Sequence, residues 1–311
     1  MQMMKAIRIH AYGGPEVLQY EDAPRPVLND DDVLIKVKAA GVNPVDWKIR
    51  QGYMKDMFTF PFIPGWDIAG VIEEIGKKVV NLNIGDSVYT RPNILRNGGY
   101  AEYIAVKSSE VAFKPATLDY IEAAAVPLAA LTAWQSIFDL AHLKAGQKIL
   151  IHAAAGGVGH YGVQFANWTG AHVIGTASAN NHEFLKSIGA HEVIDYNTTH
   201  FEDVVHDADV VLDTISDDVW QRSWKVLKKG GIMVSTLRGP EVGGMDALNK
   251  LQAHVFVQPD AAELEEIAAL IDNGKVHPEI SKVFPLQEAA EAHFESQGGH
   301  TRGKIVLDVT K

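Results

Sequence analysis

The sequence predicts a mixed α/β chain in which a doubly wound parallel sheet is inserted into a β-rich domain. Three observations predict it. Residues 1 to about 120 carry short strand patterns broken by Gly, Pro and Asn-Asp turns. From about 121, apolar runs alternate with helix-like segments. The tail from about 277 turns β-like again, and a closing strand often returns to the first domain's sheet.

The elements follow in order. Early strand patterns are Val33–Lys38, Gly70–Gly76, Gly85–Tyr89 and Tyr100–Val106, enough for a compact sheet or partial barrel. An Ala-rich stretch, Tyr120 to Leu140, reads as helical. Six apolar runs then read as strands: Lys148–Ala153, His172–Thr176, Glu192–Asp195, Asp209–Asp213, Ile232–Thr236 and His254–Val257. Helical patterns such as Gly159–Trp168 and Asn181–Ile188 separate them, as a parallel sheet requires. A last helix, Ala261–Ile271, stops at Asn273-Gly274. Gly303–Val309 is the closing strand. The expected domains are therefore residues 1–122, completed by 276–311, and an inserted 123–275.

Composition narrows the function. Twenty-eight basic against 39 acidic residues give a net charge of −11, contrary to the basic excess of a nucleic-acid binder or an anionic-lipid surface. The chain has no Cys, so disulfides, thiolate nucleophiles, iron–sulfur clusters and sulfur-ligated zinc are excluded. No signal-like apolar stretch opens the sequence, and no run of about 18 apolar residues could span a membrane. A cytoplasmic location, with neither membrane nor nucleic acid as partner, is expected.

The strongest chemical signal is Ile149-Leu150-Ile151-His152-Ala153-Ala154-Ala155-Gly156-Gly157-Val158-Gly159. An apolar strand runs into a Gly-rich turn and then a helix. The dinucleotide pattern G-x-G-x-x-G falls on Ala154, Gly156 and Gly159, with Ala in the first place. Gly156 lets backbone approach a diphosphate, and Gly159 lets helix pack on strand. The turn residues Ala155, Gly156, Gly157, Val158 and Gly159 are thus cofactor candidates, facing the positive end of a helix. An NAD site usually ends its second strand with an acidic residue. Here that end reads Thr176-Ala177-Ser178-Ala179-Asn180-Asn181, with no acid before Glu183, which favours NADPH. Ser178 and Asn180 also suit helix capping, and the two roles are compatible. With no Lys or Arg in this stretch, a 2′-phosphate would rely on hydroxyls, backbone N–H groups and His182. Thr236 and Leu237 end the fifth strand, and Phe256 and Val257 the sixth, where such a sheet presents its ligand crevice.

The segment from Gly146 through Gly156-Gly157-Val158-Gly159 to Gln164 resembles the signature of zinc-independent quinone oxidoreductases and alkenal (enone) reductases of the medium-chain dehydrogenase/reductase superfamily. Pro127–Trp134, Gly41–Lys48 and Gly303–Leu307 resemble further stretches of that family, so the likeness covers nearly the whole chain. One departure is Asn167, where the family usually has a basic residue or Ser. The resemblance implies a GroES-like catalytic domain and an inserted Rossmann domain. It implies a nicotinamide role for Asn43 and Thr132, a pocket role for Tyr53 and a place near the adenosine 2′-phosphate for Tyr196. Relatives are often homodimers. Zinc-dependent relatives place Cys at Asn43 and His-Glu at Trp66-Asp67, so no metal is expected.

Without a metal to polarise a carbonyl, conjugated acceptors are the easier substrates. Hydride addition to a quinone or an α,β-unsaturated carbonyl leaves an oxyanion that hydrogen bonds can stabilise. Asn43, Tyr53 and Lys48 are the candidate catalytic donors; a turn Asn, a packing aromatic and a solvated Lys are the plainer readings. The expected activity is NADPH-dependent reduction of a quinone or enone. The rival is an NADPH-binding redox sensor or structural protein without turnover.

Overall fold

The computed structural model describes residues 2–237 and 249–311. Contacts divide the chain into two units, Met1–Leu131 with Gln258–Lys311, and Thr132–Val257. Seven strands open the chain: β1 (Met3–Ile9), β2 (Leu18–Pro24), β3 (Asp32–Val42), β4 (Ile68–Ile75), β5 (Ser87–Thr90), β6 (Tyr103–Lys107) and β7 (Val111–Phe113). Among the described residues six follow in the second unit: β8 (Lys148–Ile151), β9 (His172–Ala177), β10 (Glu192–Asp195), β11 (Ala208–Asp213), β12 (Leu227–Ser235) and β13 (Leu251–His254). Two return to the first: β14 (Ile280–Pro285) and β15 (Lys304–Asp308). The helices, in order, are α1 (Pro44–Arg50), α2 (Tyr120–Ala124), α3 (Pro127–Trp134), α4 (Gly159–Thr169), α5 (His182–Ser187), α6 (Phe201–Val204), α7 (Asp217–Ser223), α8 (Ala261–Asp272) and α9 (Ala289–Gln297).

In the first unit one sheet runs β14-β15-β3-β4-β5-β7, with β6 also paired to β3, and β1-β2 form a separate ribbon. The closing strand does return: β15 pairs antiparallel with β3, Ile305 opposite Val42. One apolar cluster lies between this sheet and α9, with Ile7, Ala40, Tyr100, Leu286, Ala289 and Leu307 buried. A second, with Val33, Ile35, Ile68, Ile72 and Val88, fills the other face of β3 and β4. Alternate residues of a strand point to opposite faces, so β3 can serve both.

The second unit is a parallel sheet in the order β10-β9-β8-β11-β12-β13. That is the doubly wound order, with its reversal between β8 and β11. The strands are apolar because both faces are covered; Ile149, Leu150 and Ile151 are fully buried. Leu150, Ile174, Val211 and Trp220 share one core.

Three departures from expectation have physical causes. The stretch 120–140 is not one helix: α2 ends before Pro127, which opens α3, and 135–140 continue as a π-helical turn. The sixth strand is β13, earlier than the expected 254–257, which leaves Phe256 and Val257 just beyond its end. The contacts divide the chain at 131/132 and 257/258, against the expected 122/123 and 275/276. α8 belongs with the β-rich unit, where Leu264 O accepts from Tyr89 Oη at 2.5 Å and Asp272 accepts from the backbone of Thr117 at 2.9 Å.

Candidate active site

The cradle in the second unit is built from the end of β8. His152, buried, anchors it: Nε2 lies 2.9 Å from Ser223 Oγ and Nδ1 3.2 Å from Thr176 Oγ1. Ser223 gives its own proton to Val219 O, so His152 Nε2 is the donor to it. Burial, with Arg222 nearby, pushes the His152 imidazole down to about 3, and it stays neutral. Ala153 turns the chain with φ +46°, and Ala154 N donates to Thr176 O at 3.0 Å. A Cβ on Gly159 would lie 2.3 Å from Ala153 O and 2.7 Å from Ala154 Cα. Only glycine lets α4 start this close to the strand. No side chain caps that start, and Gly156–Val158 remain partly exposed. Eleven residues of helix therefore present N–H groups and a positive dipole end at an accessible turn. These residues fit a diphosphate.

Six of the other expected cofactor residues follow the carboxyl ends of strands of the same sheet, whereas Thr132 lies in α3. Parallel pairing sets Asp195 beside Ala177, so Ser178 after β9 and Tyr196 after β10 become neighbours. Tyr196 is 54% exposed. The Asp195 carboxylate turns back to accept from Asn197 N and Nδ2, each at 3.0 Å. His182 Nε2, at the start of α5, is buried without a partner. Thr236 and Leu237 follow β12, and Phe256 and Val257 follow β13, all at carboxyl ends of strands. Thr132 is buried in α3, its carbonyl accepting from Ser136 Oγ at 2.6 Å.

One feature of this edge was not anticipated. After β11, Ser216 and Asp217 take φ +69° and +52°, strained for residues with a Cβ. The buried Asp213 carboxylate holds that bend, accepting from Ile215 N at 3.0 Å, Ser216 N at 2.9 Å and Ser235 Oγ at 3.0 Å. An acid ending an apolar run was the only sequence signal.

In the first unit Asn43 caps α1, with Pro44 in the first turn. Asn43 is 2% exposed. Its Nδ2 donates to Asp67 Oδ2 at 2.8 Å, and its Oδ1 accepts from Lys304 Nζ. Lys304 Nζ also reaches Asp67 Oδ2 at 2.9 Å and Val42 O at 3.2 Å. The other Asp67 oxygen accepts from Leu128 N at 2.5 Å. The Lys304 ammonium thus already neutralises the Asp67 carboxylate. Among the described residues no group of three His, Cys, Asp or Glu could hold a metal ion.

A second buried chain starts at Asp46. Its Oδ2 accepts from Asn43 N at 2.7 Å and Tyr100 Oη at 2.9 Å, while Oδ1 has no partner. Arg50 Nη1 donates to His293 Nδ1 at 3.1 Å, and His293 Nε2 lies 3.4 Å from Tyr100 Oη. Donors therefore point one way, from Arg50 through His293 and Tyr100 to Asp46. Burial pushes the Asp46 carboxyl up to about 7 against these hydrogen bonds. It pushes the His293 imidazole down to about 3, with Arg50 adding to the effect.

Lys48 is half-buried on α1, its Nζ 5.6 Å from the Trp47 ring centroid. Burial lowers its pKa. Tyr53, in the turn after α1, is 49% exposed and joined to Lys48 through its backbone N–H at 2.9 Å. No side-chain hydrogen bond joins Asn43, Lys48 and Tyr53 among the described residues. Nearby, Phe58 packs on Phe62 at 4.9 Å and on Trp66 at 6.0 Å between centroids.

Fold and site together define an oxidoreductase of the medium-chain dehydrogenase/reductase class. The alcohol dehydrogenase GroES-like domain family matches residues 29–116, and the zinc-binding dehydrogenase family matches residues 188–307. The chain is 35% identical to a chloroplast envelope quinone oxidoreductase homolog of Arabidopsis thaliana, over 99% of both chains. It is 34% identical to a quinone oxidoreductase of Mus musculus, over 98% of both. The structure of the quinone oxidoreductase from Coxiella burnetii superposes with a TM-score of 0.92 at 36% identity, covering 99% of this chain and 100% of that one. The chain belongs to the quinone oxidoreductase family.

Proposed function

We propose that this chain reduces quinones or α,β-unsaturated carbonyls with NADPH. The observation that carries the reading is the β8–α4 turn, whose close approach at Gly159 leaves an uncapped helix start where a diphosphate fits. Thr132–Val257 is the NADP(H)-binding unit, and Met1–Leu131 with Gln258–Lys311 supplies the groups for the acceptor. Preference for the phosphorylated nucleotide is supported by the acid-free end of β9, by Ser178 beside Tyr196, and by the unpartnered His182 Nε2.

When bound, the reduced nicotinamide supplies a hydride. The chain's own task is to steady the negative charge left on the acceptor oxygen. Lys304 on Oδ1 draws electron density from the Asn43 amide and makes its N–H groups stronger donors. One Nδ2 proton goes to Asp67, and the second has no partner among the described residues. Asn43 is thus a preorganised donor to an oxyanion. Lys48 adds a half-buried ammonium whose lowered pKa brings it nearer to giving up a proton. Tyr53 and Phe58, the latter backed by buried Phe62 and Trp66, supply an aromatic wall for a flat acceptor.

Turnover tests this reading. Purified protein mixed with NADPH and a panel of simple quinones and enones is expected to oxidise NADPH. Tight binding without oxidation across the panel would instead favour a sensor.

A further inference from the structure

Four basic side chains of the described residues are more than nine-tenths buried: Arg50, Arg91, Lys250 and Lys304. Three of them are satisfied. Arg50 donates to Gly13 O at 3.2 Å, His293 Nδ1 at 3.1 Å and Gln297 Oε1 at 2.9 Å. Lys250 donates to Trp224 O, and Lys304 has three partners. Arg91 is 2% exposed and has neither hydrogen bond nor ion pair. Its Nε is sealed from solvent, while the two Nη atoms are not.

Its place is defined by the sheet. Thr90 is the last residue of β5 and pairs with Ile68 of β4. Arg91 and Asp67 are the next residues beyond that pair, and directly opposed residues of antiparallel strands share a face; the charge of Asp67 reaches the guanidinium. Arg91 therefore belongs to the side of the sheet that carries Asp67, Asn43 and Lys304. It feels the charges of Asp67 and Glu110, yet burial outweighs both and brings its pKa down to about 10. Neither acid meets it: Asp67 is held by Asn43, Lys304 and Leu128, and Glu110 accepts from Asn93 N at 2.9 Å. A buried, unpaired cation is costly to fold around unless an anion completes it.

We propose that Arg91 binds a carboxylate carried by the acceptor. This inference rests on the proposed reduction and adds a specificity determinant to it. The guanidinium is charged at neutral pH, and its planar fork matches a carboxylate with two parallel hydrogen bonds. The preferred acceptors are quinones or enones bearing an acid group.

Two measurements test it on the full chain and its Arg91→Gln and Arg91→Lys variants. Steady-state rates are compared for matched naphthoquinones with and without a carboxylate. The parent protein should favour the acid in kcat/KM by ~10-fold or more, Arg91→Gln should lose that preference, and Arg91→Lys should keep part of it. The KM for NADPH should not change. Calorimetry with 2-naphthoate and NADP+ gives a readout that needs no turnover, and binding should vanish in Arg91→Gln. Equal rates for both quinones in the parent, or equal loss on both in Arg91→Gln, overturns the proposal. So does a raised KM for NADPH, which would assign the guanidinium to a cofactor phosphate. If no quinone is reduced at all, the proposed function fails and calorimetry still decides on Arg91. Should Arg91→Gln not fold, Arg91→Lys carries the same comparison, with loss of the preference expected in part and an unchanged preference contrary to the proposal.

Discussion

Asp46 is a residue whose ordinary chemistry burial has altered. Its carboxyl is raised to about 7, so the folded chain holds a proton that the unfolded chain releases nearer 4. Between those values the folded state binds more protons, and stability falls as pH rises. Asp46→Asn keeps an acceptor for Asn43 N and Tyr100 Oη and cannot ionise. The melting temperature of Asp46→Asn relative to the parent is therefore expected to climb from pH 5 to pH 8; a difference independent of pH contradicts the raised carboxyl. His152 and His293, both depressed to about 3, act oppositely: the stability that their neutral packing contributes is lost progressively as pH falls from about 6.5 to about 3, in parent and variant alike. Lys48 gives a kinetic counterpart. If its ammonium supplies the proton, kcat/KM should decline as pH rises through its lowered pKa, and Lys48→Met should lose ~10²-fold in rate together with that alkaline limb. An unchanged profile would return Lys48 to the surface. At this scale the sequence showed which residues to suspect but not how they are held. Nothing in the spacing of Asn43, Asp67 and Lys304 says that 261 residues of separation close into one hydrogen-bonded cluster.

Among the elements, the β8–α4 turn was the most legible, because strand, glycines and helix stand next to each other in the chain. The finer division of labour between its glycines was not. A Cβ on Gly159 collides with backbone at 2.3 Å, whereas one on Gly156 meets Ala153 O at 3.2 Å and little else. Gly159→Ala is expected to cost about 1–3 kcal/mol of stability by overpacking. Gly156→Ala should leave the melting temperature nearly unchanged yet weaken nucleotide binding by ~10-fold, since its Cβ would stand where the phosphates approach. Thermal melts and nucleotide titrations of the two variants separate these effects; intact binding in Gly156→Ala would remove the turn from the cofactor site. α1 escaped the sequence reading because it is seven residues long, although Asn43-Pro44-Val45-Asp46 carries a helix-start pattern. The strained bend at Ser216-Asp217 was equally invisible, since left-handed backbone at residues other than glycine leaves no compositional trace.

For the whole molecule, alternation of apolar runs with helical patterns gave the doubly wound sheet, and the β-like tail gave the return of β15 to β3. Strand order within the β-rich unit was not legible, because antiparallel pairing depends on contacts between distant residues. The ties of α8 are of the same kind, hydrogen bonds to Tyr89, Ala116 and Thr117 far from it in the sequence. Among the described residues no helix is long and apolar enough to cross a membrane. The central claim is that the second unit cups a phosphorylated nicotinamide dinucleotide. The most direct measurement is a titration of the purified chain with NADPH and with NADH, followed by nucleotide fluorescence. Saturable binding of both, tighter for NADPH, is the predicted result; binding of neither would contradict the account.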